Sequence, residues 1–449
     1  MWINVDYNQC LVEWIDAAAA AERLGVKQAT LYAYVSRGVL RRRRDDDGKR
    51  SLFDPAEVEE LARKGRPRRP PSPSELVIES SITLLGEDRP YYRGRDALEL
   101  ARECTFEEVA GWLWGAPGTW ESVPEAVAAA RQAVPEHLLP IERLQVITTV
   151  LGATDSLRFH LDPASVAATG HRLIAGLVDA LGPAHAAGPS SAPADVPPRS
   201  EGGDPPGFEG GDSPGFEDSV PPGFEDGDSP GCAGTASVAG RLWRGLGPWP
   251  AEPRLLTALQ AALVLLADHE LAASTLAARV AASARADPYA VVLTGLGVLS
   301  GPLHGGASYA AERLLAEVDH PGRAARVIAE RVRRGERIPG FGHTVYKHGD
   351  ARASVLMELI EQAAPGHERL LCARAVMDEL RRRRLPAPNV DFALATLVAV
   401  GGMTPGSGEA IFAVARTAGW LAHAMEEYAG RTLLRPRAVY TGRHPGAAQ

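Results

Sequence analysis

The sequence predicts a mostly α-helical chain in which a small basic helical module precedes a large helical body. Three observations predict this. Apolar residues, Ala and Leu above all, recur at helical spacing across 107–114, 123–134, 140–153, 164–181, 253–267 and 271–284, the period that turns one helix face toward a core. Between Arg23 and Pro70, fourteen Lys and Arg face seven Asp and Glu around two short helical stretches. The 449 residues, 45 % of them hydrophobic, suffice for two or three domains.

The formal charge of −8 is local in origin, because residues 184–236 carry ten acidic side chains against Arg199 alone. Cys10, Cys104, Cys232 and Cys372 show neither paired nor metal-ligand spacing, which predicts a reducing compartment and no structural metal. The N-terminus lacks a basic, then apolar leader, and no apolar run reaches the roughly 20 residues of a membrane helix. The chain therefore reads as cytoplasmic, with no membrane contact.

Residues 1–15 precede the module, which spans 16–63. Asp16 is placed to cap a helix through Leu24, Gly25 ends it, and a second helix begins near Lys27 and runs through Val35. Arg41 to Arg44 and Lys49 to Phe53, separated by Asp45 to Gly48, predict a two-stranded wing, and Asp54-Pro55 starts another helix. This stretch resembles the winged helix-turn-helix of the regulator and excisionase type. The resemblance implies DNA or partner binding through the second helix and the basic wing; an accessory domain with solvated charges has the same composition.

A Pro/Arg-rich linker follows at 64–75, and the body runs from 76 to 449. Residues 77–83 suggest a short strand pair before the helices begin. Residues 184–236 interrupt the body with Pro-Gly-Phe-Glu at 206–209, 214–217 and 222–225, a repeat of eight residues. So much Pro, Gly and Asp buries too little apolar surface to offset ordering entropy, which predicts a disordered insert.

The chemistry concentrates between 301 and 352. His304 lies in Gly-Pro-Leu-His-Gly-Gly-Ala, and His343 in Ile-Pro-Gly-Phe-Gly-His-Thr-Val-Tyr-Lys. Glycine and proline break helices and let the backbone approach a ligand, and a neutral imidazole held there suits stabilising oxygen charge or passing a proton. Helix-capping or surface histidines share this composition. A third histidine, His269, stands between Asp268 and Glu270 inside a helical run, and Asp391 follows Asn389 at a helix start, where either side chain can serve as a cap.

Taken in order, Asp-His-Glu-x-x-x-Ser-Thr, Gly-Pro-Leu-His-Gly-Gly-Ala, Pro-Gly-Phe-Gly-His-x-Val-Tyr-Lys-x-x-Asp-x-Arg, Asn-Val-Asp-Phe and a terminal Arg-Pro-Arg-x-x-Tyr-x-Gly resemble the citrate synthase family across 76–442, the insert excepted. Tyr92-Arg93-Gly94 with Asp96, and Thr105 to Val109, resemble earlier family segments. The resemblance implies large and small helical domains with a cleft between them, the small one bearing Lys347 and Arg352. It implies condensation of acetyl-CoA with oxaloacetate, then thioester hydrolysis to citrate and CoA, without metal or other cofactor.

Site roles follow from the same resemblance. Asp391 matches the base, His304 the group bonded to the enol oxygen, and His343 the residue polarising the ketone. His269, Arg352, Arg416 and Arg435 match oxaloacetate ligands, Arg435 reaching the neighbouring subunit's site in a homodimer. Pro339, Gly340, Phe341, Gly342 and Lys347 match CoA contacts. Ala272 stands where members often carry Asn, Thr344 where many have Arg or Ala, and Leu139-Pro140-Ile141 where His-Pro-Met is common. These departures leave open 2-methylcitrate synthesis from propionyl-CoA, and a DNA-binding regulator that senses acyl-CoA or oxaloacetate remains the rival of another class.

Overall fold

The computed structural model describes residues 14–36, 39–45, 51–63, 78–135, 137–182, 236–248, 250–347, 349–430 and 432–436. The linker, almost all of the acidic insert and the turn of the wing lie outside the described residues. The chain divides into two compact units, the N-terminal module and the body beginning at Ile78.

In the module, helices Ala17–Arg23, Gln28–Ser36 and Pro55–Arg63 pack on a small antiparallel sheet. Asp16 accepts from Ala19 N at 2.8 Å and Asp54 from Ala56 N at 2.8 Å, so both predicted helix starts are capped by their own carboxylates. The sheet has one strand more than the expected wing. Ile15–Asp16 pairs with Ser51–Phe53, placing Phe53 opposite both Ile15 and Arg42. Phe53, Leu31, Tyr34, Leu40 and Val58 form the core, while all three arginines of strand Arg42–Arg44 are exposed.

The body is organised on helix Ser407–Ala429, which packs against Pro163–Ala180, Pro253–Leu266, Ala273–Ser283 and Pro288–Leu299. Its Ala-rich sequence, and glycines on its neighbours, let the helices approach closely. A Cβ at Gly295 would come within 2.6 Å of the buried Trp420 ring. The strand pair expected within 77–83 does not form there; Thr83–Leu85, Pro90–Tyr92 and Arg95–Asp96 form one antiparallel sheet instead. The preceding backbone is taken by side chains, with Ser81 N donating to Glu426 at 2.9 Å and Arg279 to Glu79 O at 3.3 Å.

Two hydrophobic cores divide the body. The smaller joins helices Gly306–Glu317, Ala324–Arg333 and Glu368–Arg382 through Leu314, Leu315, Ile328, Val376 and Leu380. Helix Val390–Val400 belongs to both cores: Phe392 and Ala395 enter the small one, Val390, Leu394 and Leu397 the large. Arg352 does not ride on the small core as expected. Its helix, Ala351–Ala363, turns Ala353, Leu356 and Ile360 into the large core, against Pro253–Leu266 and Val390–Val400. No helix among the described residues is long and apolar enough to cross a membrane.

Candidate active site

The first histidine sits in a break between helices, not within one. Helix Pro253–Leu266 ends before Asp268, and Ala273–Ser283 begins after Ala272. Glu270 adopts φ +53, a conformation non-glycine residues rarely hold. Tyr92 supports the break from below, its hydroxyl 3.1 Å from the carbonyls of Val264 and Leu265 and 3.2 Å from that of Asp268. His269 Nε2 lies 2.9 Å from Tyr346 Oη, and its ring meets those of His343 and Tyr346 edge-on at 5.5 and 5.4 Å. Burial first, then Arg352 and Arg416, hold its pKa well below the ordinary value.

His304 occupies the turn that leads into helix Gly306–Glu317. Its Nε2 lies 2.8 Å from Ser274 Oγ, which also accepts from Trp420 Nε1 at 3.3 Å. Ser274 Oγ can give its own hydrogen to Nε2 while accepting from the indole, and in that arrangement His304 carries its hydrogen on Nδ1. At His343 the assignment is the reverse. Nδ1 accepts from Val345 N and Tyr346 N, both at 3.0 Å, so Nε2 carries the hydrogen. Burial lowers both pKa values to about 4, with help from Arg416 at His304 and from Arg352 at His343. Both rings are neutral at physiological pH.

Asn389 caps helix Val390–Val400 by accepting from Asp391 N at 3.0 Å, which frees the Asp391 carboxylate from capping. That carboxylate accepts a hydrogen bond from Ser308. Burial raises its pKa to about 6 against the lowering influence of Ser308 and Arg352. The neighbouring amide, Val390 N, donates to Asp350 at 3.0 Å, and the same carboxylate takes Arg352 Nε and Nη2 at 2.9 Å each. Arg352 is 2 % exposed and lies over the Tyr346 ring at 5.3 Å.

Arg416 is 1 % exposed, gives Nε to Leu266 O at 2.8 Å, and covers the Phe412 ring at 4.7 Å. Among the described residues its buried Nη1 has no hydrogen-bond partner, a costly state that a bound anion relieves. Ser274, Ser308, Tyr346 and Asp350 thus orient the predicted residues. Ser308 alone bore no signal in the motifs.

The loop of Pro339, Gly340, Phe341 and Gly342 is fastened to the segment before Asp391. Gly342 N donates to Ala387 O at 2.8 Å, Asn389 N to Gly340 O at 2.9 Å, and Asn389 Nδ2 to Gly342 O at 2.8 Å. Gly340 has φ +79, and a Cβ there would meet Phe392 Cβ at 2.7 Å, so both conformation and space require glycine. Pro339 borders a cavity of ≈ 350 Å³ lined by Gly306, Tyr309, Arg313 and Arg331. Lys347 is exposed beside the loop. Arg435 stands apart from the cluster, exposed in a segment tied down by Leu434 N to Ser283 Oγ at 3.1 Å. Among the described residues, no group of His, Cys, Asp and Glu is placed to hold a metal.

Residues 74–437 match the family model described as citrate synthase, C-terminal domain. The chain belongs to the citrate synthase family. Residues 14–66 match a helix-turn-helix domain. Citrate synthase 2 of Bacillus subtilis is 40 % identical over 202 residues, covering 44 % of this chain and 53 % of that protein. At that level of identity, the chain spans about half the length of the curated relatives it matches. A longer match, to 2-methylcitrate synthase 2 of Corynebacterium glutamicum, is 27 % identical over 373 residues and covers 78 % of this chain and 88 % of that one. The citrate synthase fold is shared with the Thermoplasma acidophilum enzyme solved in ternary complex with carboxymethyl coenzyme A and oxaloacetate, at a TM-score of 0.62, 21 % identity, and coverage of 84 % and 97 %.

Proposed function

We propose that the chain is a citrate synthase that joins the methyl carbon of acetyl-CoA to the ketone of oxaloacetate and then hydrolyses the thioester. One observation carries the reading: the Asp391 carboxyl, with its pKa at about 6, shares a cluster with two buried arginines and neutral histidines. A carboxylate of raised pKa is the better base, and neutral imidazoles donate to developing oxygen charge without first losing a proton.

In this scheme Asp391 takes a methyl proton while His304 offers Nδ1–H to the enol oxygen. The enol carbon attacks the ketone, whose oxygen receives the Nε2 proton of His343, and the proton that Asp391 took returns to that imidazole, giving the citryl thioester. Water then cleaves the carbon–sulfur bond, releasing citrate and the CoA thiol. Arg352, Arg416 and His269 grip the oxaloacetate carboxylates, guanidinium forks suiting bidentate pairing. The loop 339–342 and Lys347 meet CoA. Movement of the small core about helix Val390–Val400 closes the cleft and excludes water. A homodimer completes each site with Arg435 of the other copy, consistent with its exposure here.

Propionyl-CoA is the second acyl donor to test, because of the match to a 2-methylcitrate synthase; one methylene changes binding by only about 1–3 kcal/mol. Release of CoA thiol from each thioester, with and without oxaloacetate, tests the reading. Oxaloacetate-dependent release supports it, the two kcat/KM values rank the donors, and folded protein that releases none overturns it. The exposed Arg42–Arg44 strand and the helix-turn-helix match favour DNA as a further partner of the module. A mobility shift at low salt that weakens with added salt is expected, and no shift at low salt removes DNA from the scheme.

A further inference from the structure

Behind the His269 loop lies a buried polar chain to which the catalytic scheme assigns no part. Arg279, 4 % exposed, gives Nε to Glu427 at 2.6 Å and Nη1 to Glu426 at 2.6 Å. The second Nη1 hydrogen reaches His423 Nδ1 at 2.9 Å. A ring nitrogen that faces a guanidinium N–H can only accept, so the His423 hydrogen is on Nε2. That nitrogen lies 3.3 Å from Asp268 Oδ2, and both residues are wholly buried. Asp268 Oδ2 also accepts from Glu270 N at 3.0 Å, the residue at φ +53.

Helix Ser407–Ala429 is shaped to receive this loop. Gly419 N donates to Ala267 O at 3.0 Å, and a Cβ on Gly419 would stand 2.3 Å from Asp268 Oδ1. Arg416, Gly419 and His423 follow at intervals of three and four residues, and so share one face. That face presents the guanidinium with its unpartnered Nη1, then the gap the loop fills, then the hydrogen bond that fixes it.

We infer that His423 is a positioning residue for the reaction: oriented by Arg279, it holds Asp268 so that the strained Glu270 turn aims His269 at oxaloacetate. A non-glycine residue at positive φ persists only where its surroundings over-determine it, and the Asp268 carboxylate bridging Glu270 N and His423 supplies that constraint. The inference rests on the reading that His269 meets oxaloacetate.

The test compares full-length His423→Leu, His423→Asn and His423→Gln with wild type by steady-state kinetics and hydrogen exchange. Gln can accept from Arg279 and donate to Asp268 across the span of the imidazole, whereas Asn is too short for both and Leu makes neither bond. Leu and Asn are expected to raise KM for oxaloacetate roughly tenfold, the loss of one hydrogen bond to a charged group. KM for the acyl thioester should stay unchanged, exchange across 267–272 should accelerate, and exchange in helix Pro163–Ala180 should not. Gln should restore both readouts. If Leu fails to fold, the contrast between Asn and Gln decides. Unchanged KM and loop exchange in Asn, or Gln as impaired as Asn, overturns the inference. Wild type without oxaloacetate-dependent turnover would defeat the proposed function instead, and loop exchange would still decide whether His423 fixes the turn.

Discussion

Ser308 and Asp391 lie 83 positions apart in the chain and meet by a hydrogen bond in which the serine hydroxyl donates to the carboxylate. Ser308 belongs to helix Gly306–Glu317, whose apolar face builds the small core, and Asp391 to the helix that both cores share. The proposed base is therefore held between the two bodies whose relative movement would close the cleft. Its basicity depends on that packing as well as on its own burial.

A pH profile follows. Asp391 acts as a base only when ionised, so with a pKa of about 6 kcat/KM should fall about tenfold per pH step below that value. His304 and His343, at about 4, remain neutral across this limb. Ser308→Ala removes a bond that favours the carboxylate, so the acid limb should move to higher pH. Kinetics from about pH 5 to 9 read the shift. A limb unmoved in Ser308→Ala would separate the serine from the titrating group.

Asp391→Asn should abolish turnover while sparing oxaloacetate binding, and it should also stabilise the protein. The folded carboxyl has a pKa of about 6 against an ordinary 3.8. Raised pKa means that the folded state binds this proton more tightly than the unfolded chain does. Stability is therefore fully present below 3.8 and is lost as pH rises through about 6. The ionised group costs roughly 3 kcal/mol at neutral pH and above. Thermal melts of variant and wild type should diverge at about pH 8 and converge toward pH 4. Equal Tm differences at both would show that Asp391 ionises without cost.

The sequence makes the site's chemistry more legible than its support. Glycine and proline around His304 and His343 mark turns, and Asn389 before Asp391 marks a helix start, because these signals are local. The Ser308 bond was invisible, since it depends on how two distant helices pack. The resemblance implies that Arg352 rides on the small domain, whereas Ala353, Leu356 and Ile360 carry its helix into the large core, a choice set by how distant helices pack. His269 looked helical because Ala and Leu surround it; the break comes from Tyr92, far away in sequence, and from the strained Glu270.

Gly340→Ala tests the clamp between the loop and the base helix. The substitution places a side chain at φ +79 and drives its Cβ to within 2.7 Å of Phe392 Cβ. Left-handed backbone alone costs about 1–2 kcal/mol, and the clash adds to it. Displacement of the loop pulls on Asn389, so kcat should fall alongside Tm, whereas Gly349→Ala, also at positive φ but with open space around its Cβ, should lower Tm with less loss of kcat. Equal kcat in the two variants would uncouple the loop from Asp391.

Arg416→Lys keeps the charge but replaces the planar fork, whose Nε and Nη1 serve Leu266 O and a carboxylate from separate nitrogens, with a single ammonium that cannot pair bidentately. KM for oxaloacetate should rise about a hundredfold, near 3 kcal/mol, with KM for the thioester little changed. A shift of less than about threefold would mean that the orphaned Nη1 does not meet the substrate.

Arg435 permits a test that separates assembly from chemistry. If it serves the site of the other copy, Arg435→Ala and Asp391→Asn should each be inactive alone, yet a mixture that reassembles at random should regain about a quarter of wild-type activity. The reason is geometric. Half of the dimers then pair one chain of each kind, and in those one site combines an intact Asp391 with an intact Arg435 from its neighbour, while the other site carries both defects. Were Arg435 to act within its own chain, each site of the mixed dimer would retain one defect, and mixing would restore nothing. The assay needs only the two purified variants, a dissociation and reassociation step, and release of CoA thiol as the readout.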